Sequence, residues 1–207
     1  MSLIEKYFPQ LTTEQKEHFA ALPSIYADWN SKINVISRKD IDHIEERHIL
    51  HSLAIAKYTS FSEGTKIIDV GTGGGFPGIP LAIMFPHVDF LLIDSIGKKT
   101  KVVEGVAQAL KLSNVRVQQS RSEQIKEKFD FVVSRAVTAF PDFVKMTRHL
   151  INKENRNACA NGILYLKGGD FENEIVQFGN SAIVCNLTNY FEEEFFETKK
   201  LIHLSIR

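Results

Sequence analysis

Cysteine is almost missing from this chain. Cys159 and Cys185 stand alone, which excludes a disulfide framework and a cysteine-spaced metal site. So few thiols fit a reducing compartment. Net charge is missing as well: 25 Lys and Arg are balanced by 25 Asp and Glu. That balance removes the global basic signature of a nucleic-acid binder but leaves room for a local basic patch. Long apolar runs are absent, and Ile79–Phe85 falls far short of a membrane span. The opening MSLIEKYFPQLTTEQ is charged and amphipathic, without the apolar centre of a signal peptide. The expected location is the cytoplasm, with no membrane partner and no metal.

What is present describes an ordinary globular chain. Its 207 residues are 43% hydrophobic and 24% charged, enough for one catalytic domain and a modest extension. Residues 1–62 read as an N-terminal helical extension packed on a domain at 63–207. In the extension, Phe19, Leu22, Ile25, Tyr26, Trp29 and Ile33 recur at helical spacing. Thr12 and Gln15 have the spacing of a capping box, Pro23 is a candidate kink, and Trp29 is expected in the core. A second helix is expected after Asp40, with Ile41, Ile44, His48 and Leu53 near one face. Ser60–Gly64 then breaks the pattern.

From Lys66 short apolar strands alternate with helices. The expected strands are KIIDV, Asp89–Asp94, Val115–Gln118, Phe129–Ser134, Ile163–Lys167, AIVCNL and LIHLSI, the last two as antiparallel neighbours. Helices are expected through Ile79–Phe85, over Lys98–Leu110 and near Pro141–Leu150, and a polar loop over Asn152–Gly162. Alternation of this kind makes an α/β fold, a doubly wound and mostly parallel seven-stranded sheet. Such sheets hold ligands at the carboxyl ends of their strands, where strand order reverses.

The segment from Asp69 to Gly78 follows the first strand and places four glycines, Gly71, Gly73, Gly74 and Gly75, within five positions. A loop that dense in glycine lets a ligand approach the backbone. Gly73, Gly75 and Gly78 also match G-x-G-x-x-G, the dinucleotide pattern, so a nicotinamide cofactor is one reading. Counted from Gly71, however, the run is G-x-G-x-G with Asp69 two residues ahead. A carboxylate repels a pyrophosphate, yet it tolerates a sulfonium donor that carries an ammonium group. Asp94 ends the second strand 23 residues after Gly71, where a carboxylate can accept both ribose hydroxyls or cap the next helix. Ser122 and Glu123 lie where an adenine edge is read in this architecture, and Glu123 could equally serve a helix start. Arg135 ends the fourth strand and could bind a carboxylate or phosphate, or make a surface ion pair. Phe76, in the glycine loop, is expected to be exposed and to touch ligand.

Trp29-Asn30-x-x-Ile33-Asn34-x-Ile36-Ser37, Arg47-His48-Ile49-Leu50, Asp69–Pro80, Asp94-Ser95-x-Gly97-Lys98-Lys99, Ser134-Arg135-Ala136 and Leu166-Lys167-Gly168 occur in that order. Together they resemble the RsmG (GidB) family, bacterial 16S rRNA guanine-N7 methyltransferases. The resemblance implies a Rossmann-like class I fold and S-adenosylmethionine as methyl donor, leaving S-adenosylhomocysteine. It implies that Gly71, Phe76, Ser122, Glu123 and Arg135 contact the donor; the reading from the loop adds Asp69, Gly73, Gly75 and Asp94. It makes 16S rRNA in the small ribosomal subunit the partner. The family often has Asp in H-x-x-D-S, where this chain has His51 before Ser52.

The chemistry needs little beyond positioning. No N/D-P-P-Y/F turn follows the fourth strand, as amino-group methylation of a base would suggest, and neither cysteine is placed to attack a pyrimidine. Guanine N7 has a free lone pair and no proton to lose, so no catalytic base is expected, and His48 reads as a packed or hydrogen-bonded histidine. Arg38, Lys39, Arg47, Lys98, Lys99, Lys101 and Lys167 are the candidate RNA-contacting cations, and Lys98, also on the cofactor's expected side, could serve either role. Two rival readings stay open: a NAD-dependent oxidoreductase, and a non-catalytic ribosome-binding module that keeps the fold.

Overall fold

The computed structural model describes residues 2–37 and 39–206; Arg38, one of the candidate RNA contacts, lies outside them. The extension begins with α1 (Leu3–Tyr7) and α2 (Thr13–Lys32). The Thr12 hydroxyl accepts from the Gln15 N–H, and the Gln15 side chain accepts from the Thr12 N–H, completing the expected capping box. α2 continues unbroken through Pro23. An interior proline costs about 3 kcal/mol, and burial of Phe19, Leu22 and Tyr26 on the inner face of α2 opposes it. Trp29 is only half-buried. It lies across Gly105, where an added Cβ would meet its ring at 2.0 Å.

The single helix expected after Asp40 is instead three segments of different pitch: a 3-10 turn at Ile41–His43, a π-helical turn at Glu45–Leu50, and α3 (His51–Tyr58). In the wide turn the His51 N–H reaches back to the Glu46 carbonyl. Such turns concentrate at functional sites because they re-aim side chains. Here the wide turn carries Arg47 and His48.

The sheet half follows as β1 (Lys66–Val70), α4 (Gly78–Met84), β2 (Asp89–Asp94), α5 (Gly97–Ala109), β3 (Val115–Gln119), β4 (Phe131–Arg135), α6 (Phe140–Thr147), β5 (Gly162–Gly168), α7 (Glu172–Ile175), β6 (Ala182–Asn186) and β7 (Lys199–Ser205). One seven-stranded sheet has the order β3-β2-β1-β4-β5-β7-β6. β1 to β5 are parallel, while β7 runs antiparallel to both β5 and β6. Strand order reverses between β1 and β4, and the crevice opens there at the carboxyl ends.

Two cores cover the sheet. Alternate strand residues such as Ile67, Phe90 and Phe131 pack with α2, α3, α4 and α5. Their neighbours Ile68, Leu91 and Val132 pack with α6. This period-two division decides which face each functional side chain takes. The loop over Asn152–Gly162 is tied down by asparagines: Asn157 Oδ1 accepts from the Ser62 N–H and the Thr65 hydroxyl, both at 2.9 Å.

Candidate functional site

The glycine loop turns directly off β1. Gly71 has φ +71, a left-handed conformation that L side chains resist. Its N–H and that of Thr72 both donate to the Ile93 carbonyl at 2.9 Å, tying the loop to the end of β2. A Cβ on Gly71 would meet Val137 Cγ2 at 2.7 Å. The position therefore demands glycine for its φ and for close approach.

Asp69 does not face the crevice. Strand alternation turns it to the side covered by α4, and it is fully buried. Its Oδ2 accepts from the Thr72 hydroxyl at 2.7 Å and the Gly78 N–H at 2.8 Å. Oδ1 is buried with no partner among the described residues. Burial pushes its pKa up to about 7 against the pull of those two bonds. The expectation that Asp69 meets the ligand is corrected: it fastens the loop from beneath.

Gly75 is likewise turned inward, where a Cβ would meet Ile79 Cγ1 at 2.8 Å and the Tyr26 hydroxyl at 2.9 Å. That hydroxyl donates to the Gly74 carbonyl at 2.7 Å, so α2 holds the loop. Phe76 is not exposed. It is 3% accessible and stacks on Tyr26 with centroids 4.8 Å apart. The fold covers it because the extension packs over the loop, and Phe76 still contributes to the wall of the crevice.

The crevice has a main lobe of about 430 Å³, bounded by Gly71, Gly73, Asp94, Lys99, Arg135 and Val137. A side lobe of about 220 Å³ is bounded by Asp94, Ser122, Glu123 and Met146. Of the expected site residues, Gly71, Gly73, Phe76, Asp94, Ser122, Glu123 and Arg135 thus line the two lobes, while Asp69 and Gly75 do not.

Asp94 accepts the Gly73 N–H at 3.0 Å and the Ile96 N–H at 2.9 Å, one on each oxygen. Each oxygen retains acceptor capacity for a hydroxyl. It does not cap α5, whose N-cap is Ile96 with no side-chain bond. Lys99 Nζ lies 3.8 Å from Asp94, so Lys99, rather than Lys98, is the lysine turned to the crevice. Ser122 is buried and its hydroxyl donates to Glu123 Oε2 at 3.0 Å.

Arg135 is not a surface ion pair. Its guanidinium donates to the Arg47 carbonyl at 3.2 Å and to His48 Nδ1 at 2.8 Å, and lies 5.2 Å from the Phe76 ring centroid. Among the described residues no carboxylate forms a salt bridge with it. Burial lowers its pKa to about 10, opposed by the charge of Asp69, so it stays cationic at neutral pH. Burial, and then Arg135, pushes the His48 pKa down to about 3. The neutral ring is thus the acceptor of the Arg135 bond, as the packed reading of His48 expects.

The candidate RNA cations divide. Lys39, Lys98 and Lys101 are exposed. Arg47 is bonded to Asp40 at 2.8 Å. Lys167 is gripped by Glu174 at 2.5 and 2.6 Å, so its charge is already answered within the fold. Sequence reasoning missed Val35, Ile96 and Val137, which are apolar residues of the crevice wall. Ile96 and Val137 are 49% and 44% exposed, and the available signal was an apolar residue in the loop just after a strand. Among the described residues, no group of three or more His, Cys, Asp or Glu could hold a metal ion. None of their helices is long and apolar enough to cross a membrane.

Comparison with known proteins agrees with this geometry. The family model described as rRNA small subunit methyltransferase G (GidB) matches residues 15–202. Ribosomal RNA small subunit methyltransferase G of Flavobacterium johnsoniae is 56% identical over 207 residues, covering 100% of this chain and 99% of the relative. Its counterpart in Bacteroides thetaiotaomicron is 53% identical, covering 100% of both chains. In fold, the chain is similar to a SAM dependent methyltransferase from Aquifex aeolicus, with TM-score 0.57 and 16% identity over 83% of this chain and 100% of the other. An rRNA methylase from Streptococcus thermophilus gives TM-score 0.52 and 7% identity over 76% and 95%. A family match across most of the chain, and relatives above half identity over its whole length, settle its placement: the chain belongs to the rRNA small subunit methyltransferase G (GidB) family.

Proposed function

We propose that the protein transfers a methyl group from S-adenosylmethionine to N7 of a guanine in 16S rRNA of the small ribosomal subunit, leaving S-adenosylhomocysteine. The observation that carries this reading is the pairing, in one crevice, of a guanidinium free of any carboxylate salt bridge among the described residues with an acid that keeps lone pairs available. A donor bearing both a carboxylate and a ribose satisfies Arg135 and Asp94 together. The apolar faces of Ile96 and Val137 suit an adenine ring, and Ser122 and Glu123 stand at its edge. Gly71 fits the same donor, because any side chain there would fill the space against Val137. Residues 1–62 serve this domain as an extension that fastens its loop, through Tyr26.

When bound, S-adenosylmethionine supplies an electrophilic methyl group on a positively charged sulfur. The chain's task is then to orient and to exclude water. Arg135, held by His48, fixes one end of the donor, and Asp94 fixes the ribose. Guanine N7 needs no proton removed, which agrees with a neutral His48 already occupied as an acceptor. Lys39, Lys98 and Lys101 supply exposed positive charge for the RNA backbone. The target guanine must be unpaired or unstacked to present N7, since an A-form groove is too narrow for side chains. The nicotinamide alternative is set aside because the chain belongs to a methyltransferase family; Asp69, being buried, no longer counts against a pyrophosphate. Transfer of labelled methyl to small subunits lacking the modification, followed by nucleoside analysis, tests the proposal. Label in 7-methylguanosine is expected; label in another nucleoside, or none, refutes it.

A further inference from the structure

Beyond Arg135 lies a second hollow of about 290 Å³. Arg135 and Ala136 line it and the donor crevice alike, so they form a shared wall. The rest of its lining comes from distant parts of the chain: Arg47 and His51 at the π-helical turn, Phe195 in the turn before β7, and Lys199 on β7.

Cations outnumber anions around this hollow. Arg47, Arg135, Lys167 and Lys199 line it, against Asp40 alone. Asp40 is bonded to Arg47 and to the Ser37 hydroxyl, and Lys167 is answered by Glu174. Lys199 is different. Its ammonium donates to Thr198 Oγ1 at 2.8 Å, and among the described residues no carboxylate forms a salt bridge with it. It sits 4.6 Å from the Phe195 ring centroid, and the Arg47 guanidinium lies 6.0 Å from the same centroid. Burial, and then the charge of Arg47, holds the Lys199 pKa below its ordinary value.

Two cations crowding one aromatic ring repel each other unless an anion joins them. Among the described residues, two buried nitrogens here also lack partners, Arg47 Nε and His51 Nε2. The Arg47 Nε–H meets no acceptor among the described residues, and a buried donor left so is costly. An anion with several acceptor oxygens meets the Arg47 Nε–H and the Lys199 ammonium through charge-assisted hydrogen bonds.

We propose that this hollow binds a backbone phosphate of the substrate RNA beside the target guanine, gripped by Lys199 and Arg47 over the Phe195 ring. The proposal rests on the methyltransferase reading above, because the wall shared with the donor crevice is what makes the occupant part of the acceptor strand. It adds a determinant from β7, a region where sequence patterns single out no function. The phosphate sets the strand's register, while Arg135 and Ala136 separate it from the donor.

The test is the salt dependence of binding. Small subunits lacking the modification are titrated with the protein in the presence of S-adenosylhomocysteine between 50 and 200 mM salt. Wild type, Lys199→Met and Lys200→Met are compared. Lys200 is the control: strand alternation turns it to the opposite face, near Phe171. Loss of one phosphate contact to single-stranded RNA reduces the slope of log affinity against log salt by about 0.7. The fourfold rise in salt should therefore weaken Lys199→Met by a factor about 2.6-fold smaller than it weakens wild type. Lys200→Met should keep the wild-type slope, and both variants should keep wild-type affinity for S-adenosylhomocysteine. An unchanged slope in Lys199→Met, or an equal loss in Lys200→Met, overturns the phosphate site. The methyltransferase reading is judged separately by label transfer with wild type, so either can fail alone. Wild-type protein that binds no small subunit overturns the phosphate site before any variant is compared.

Discussion

Gly71→Ala probes the loop with a single methyl group. Two effects follow from the geometry. First, alanine must hold φ +71, which costs an L residue about 1–2 kcal/mol. For a domain of this size that lowers Tm by roughly 2–8 °C. Second, the new Cβ would lie 2.7 Å from Val137 Cγ2 and 3.3 Å from Cγ1. Val137 is 44% exposed and follows Ala136, itself at φ +49. It can move, and relief of the contact displaces it within the crevice that it lines. S-adenosylhomocysteine affinity is then expected to fall at least about tenfold, equivalent to about 1.4 kcal/mol. Calorimetric titration reads the affinity and a thermal melt reads the strain. Adding Val137→Ala should restore part of the affinity and none of the lost Tm, because the second change removes the contact and leaves φ untouched. A folded Gly71→Ala protein that binds S-adenosylhomocysteine within twofold of wild type would refute the reasoning.

Four further outcomes follow from the same geometry. Arg135→Ala should abolish methyl transfer with circular dichroism unchanged; retained transfer would remove Arg135 from the site. His48→Ala leaves one guanidinium N–H without its acceptor, and kcat/KM should fall about tenfold to a hundredfold, the worth of a hydrogen bond to a charged group. Tyr26→Phe strips the buried Gly74 carbonyl of its partner; stability should drop by about 1–3 kcal/mol in urea, with weaker S-adenosylhomocysteine binding. Asp69, with its pKa raised by burial to about 7, ionises earlier in the unfolded chain, near pH 4. Its contribution to stability is therefore full below about pH 4 and is lost as pH rises to about 7. Urea unfolding of Asp69→Asn should lack that decline relative to wild type, and parallel pH profiles would contradict it.

Much of the catalytic half was legible because local chemistry and tertiary packing agree there. KIIDV and DFLLID have short apolar centres, Ile67–Ile68 and Phe90–Ile93, and both form the strands they suggest. Gly71, Asp94 and Arg135 were readable because each stands at a strand's carboxyl end. What was hidden depended on which way a side chain points after the extension docks. Phe76 looks exposed in a glycine-rich loop until Tyr26 stacks on it. Asp69 looks available until alternation along β1 buries it. The π-helical turn could not be read, because Glu45–Leu50 has ordinary helical composition and only its 5-residue bond betrays the wider pitch. Lys199 was invisible as a site residue because Arg47 and Phe195, which give it meaning, lie far away in sequence or were apolar and unremarked.

What occupies the crevice after Val70 decides the function. A crystal structure with S-adenosylhomocysteine measures this directly. The ligand's carboxylate should contact Arg135, its ribose Asp94, and its adenine should lie by Ser122 between Ile96 and Val137. Density for the ligand outside that crevice, or a crevice closed by its own side chains while the ligand binds elsewhere, would contradict it.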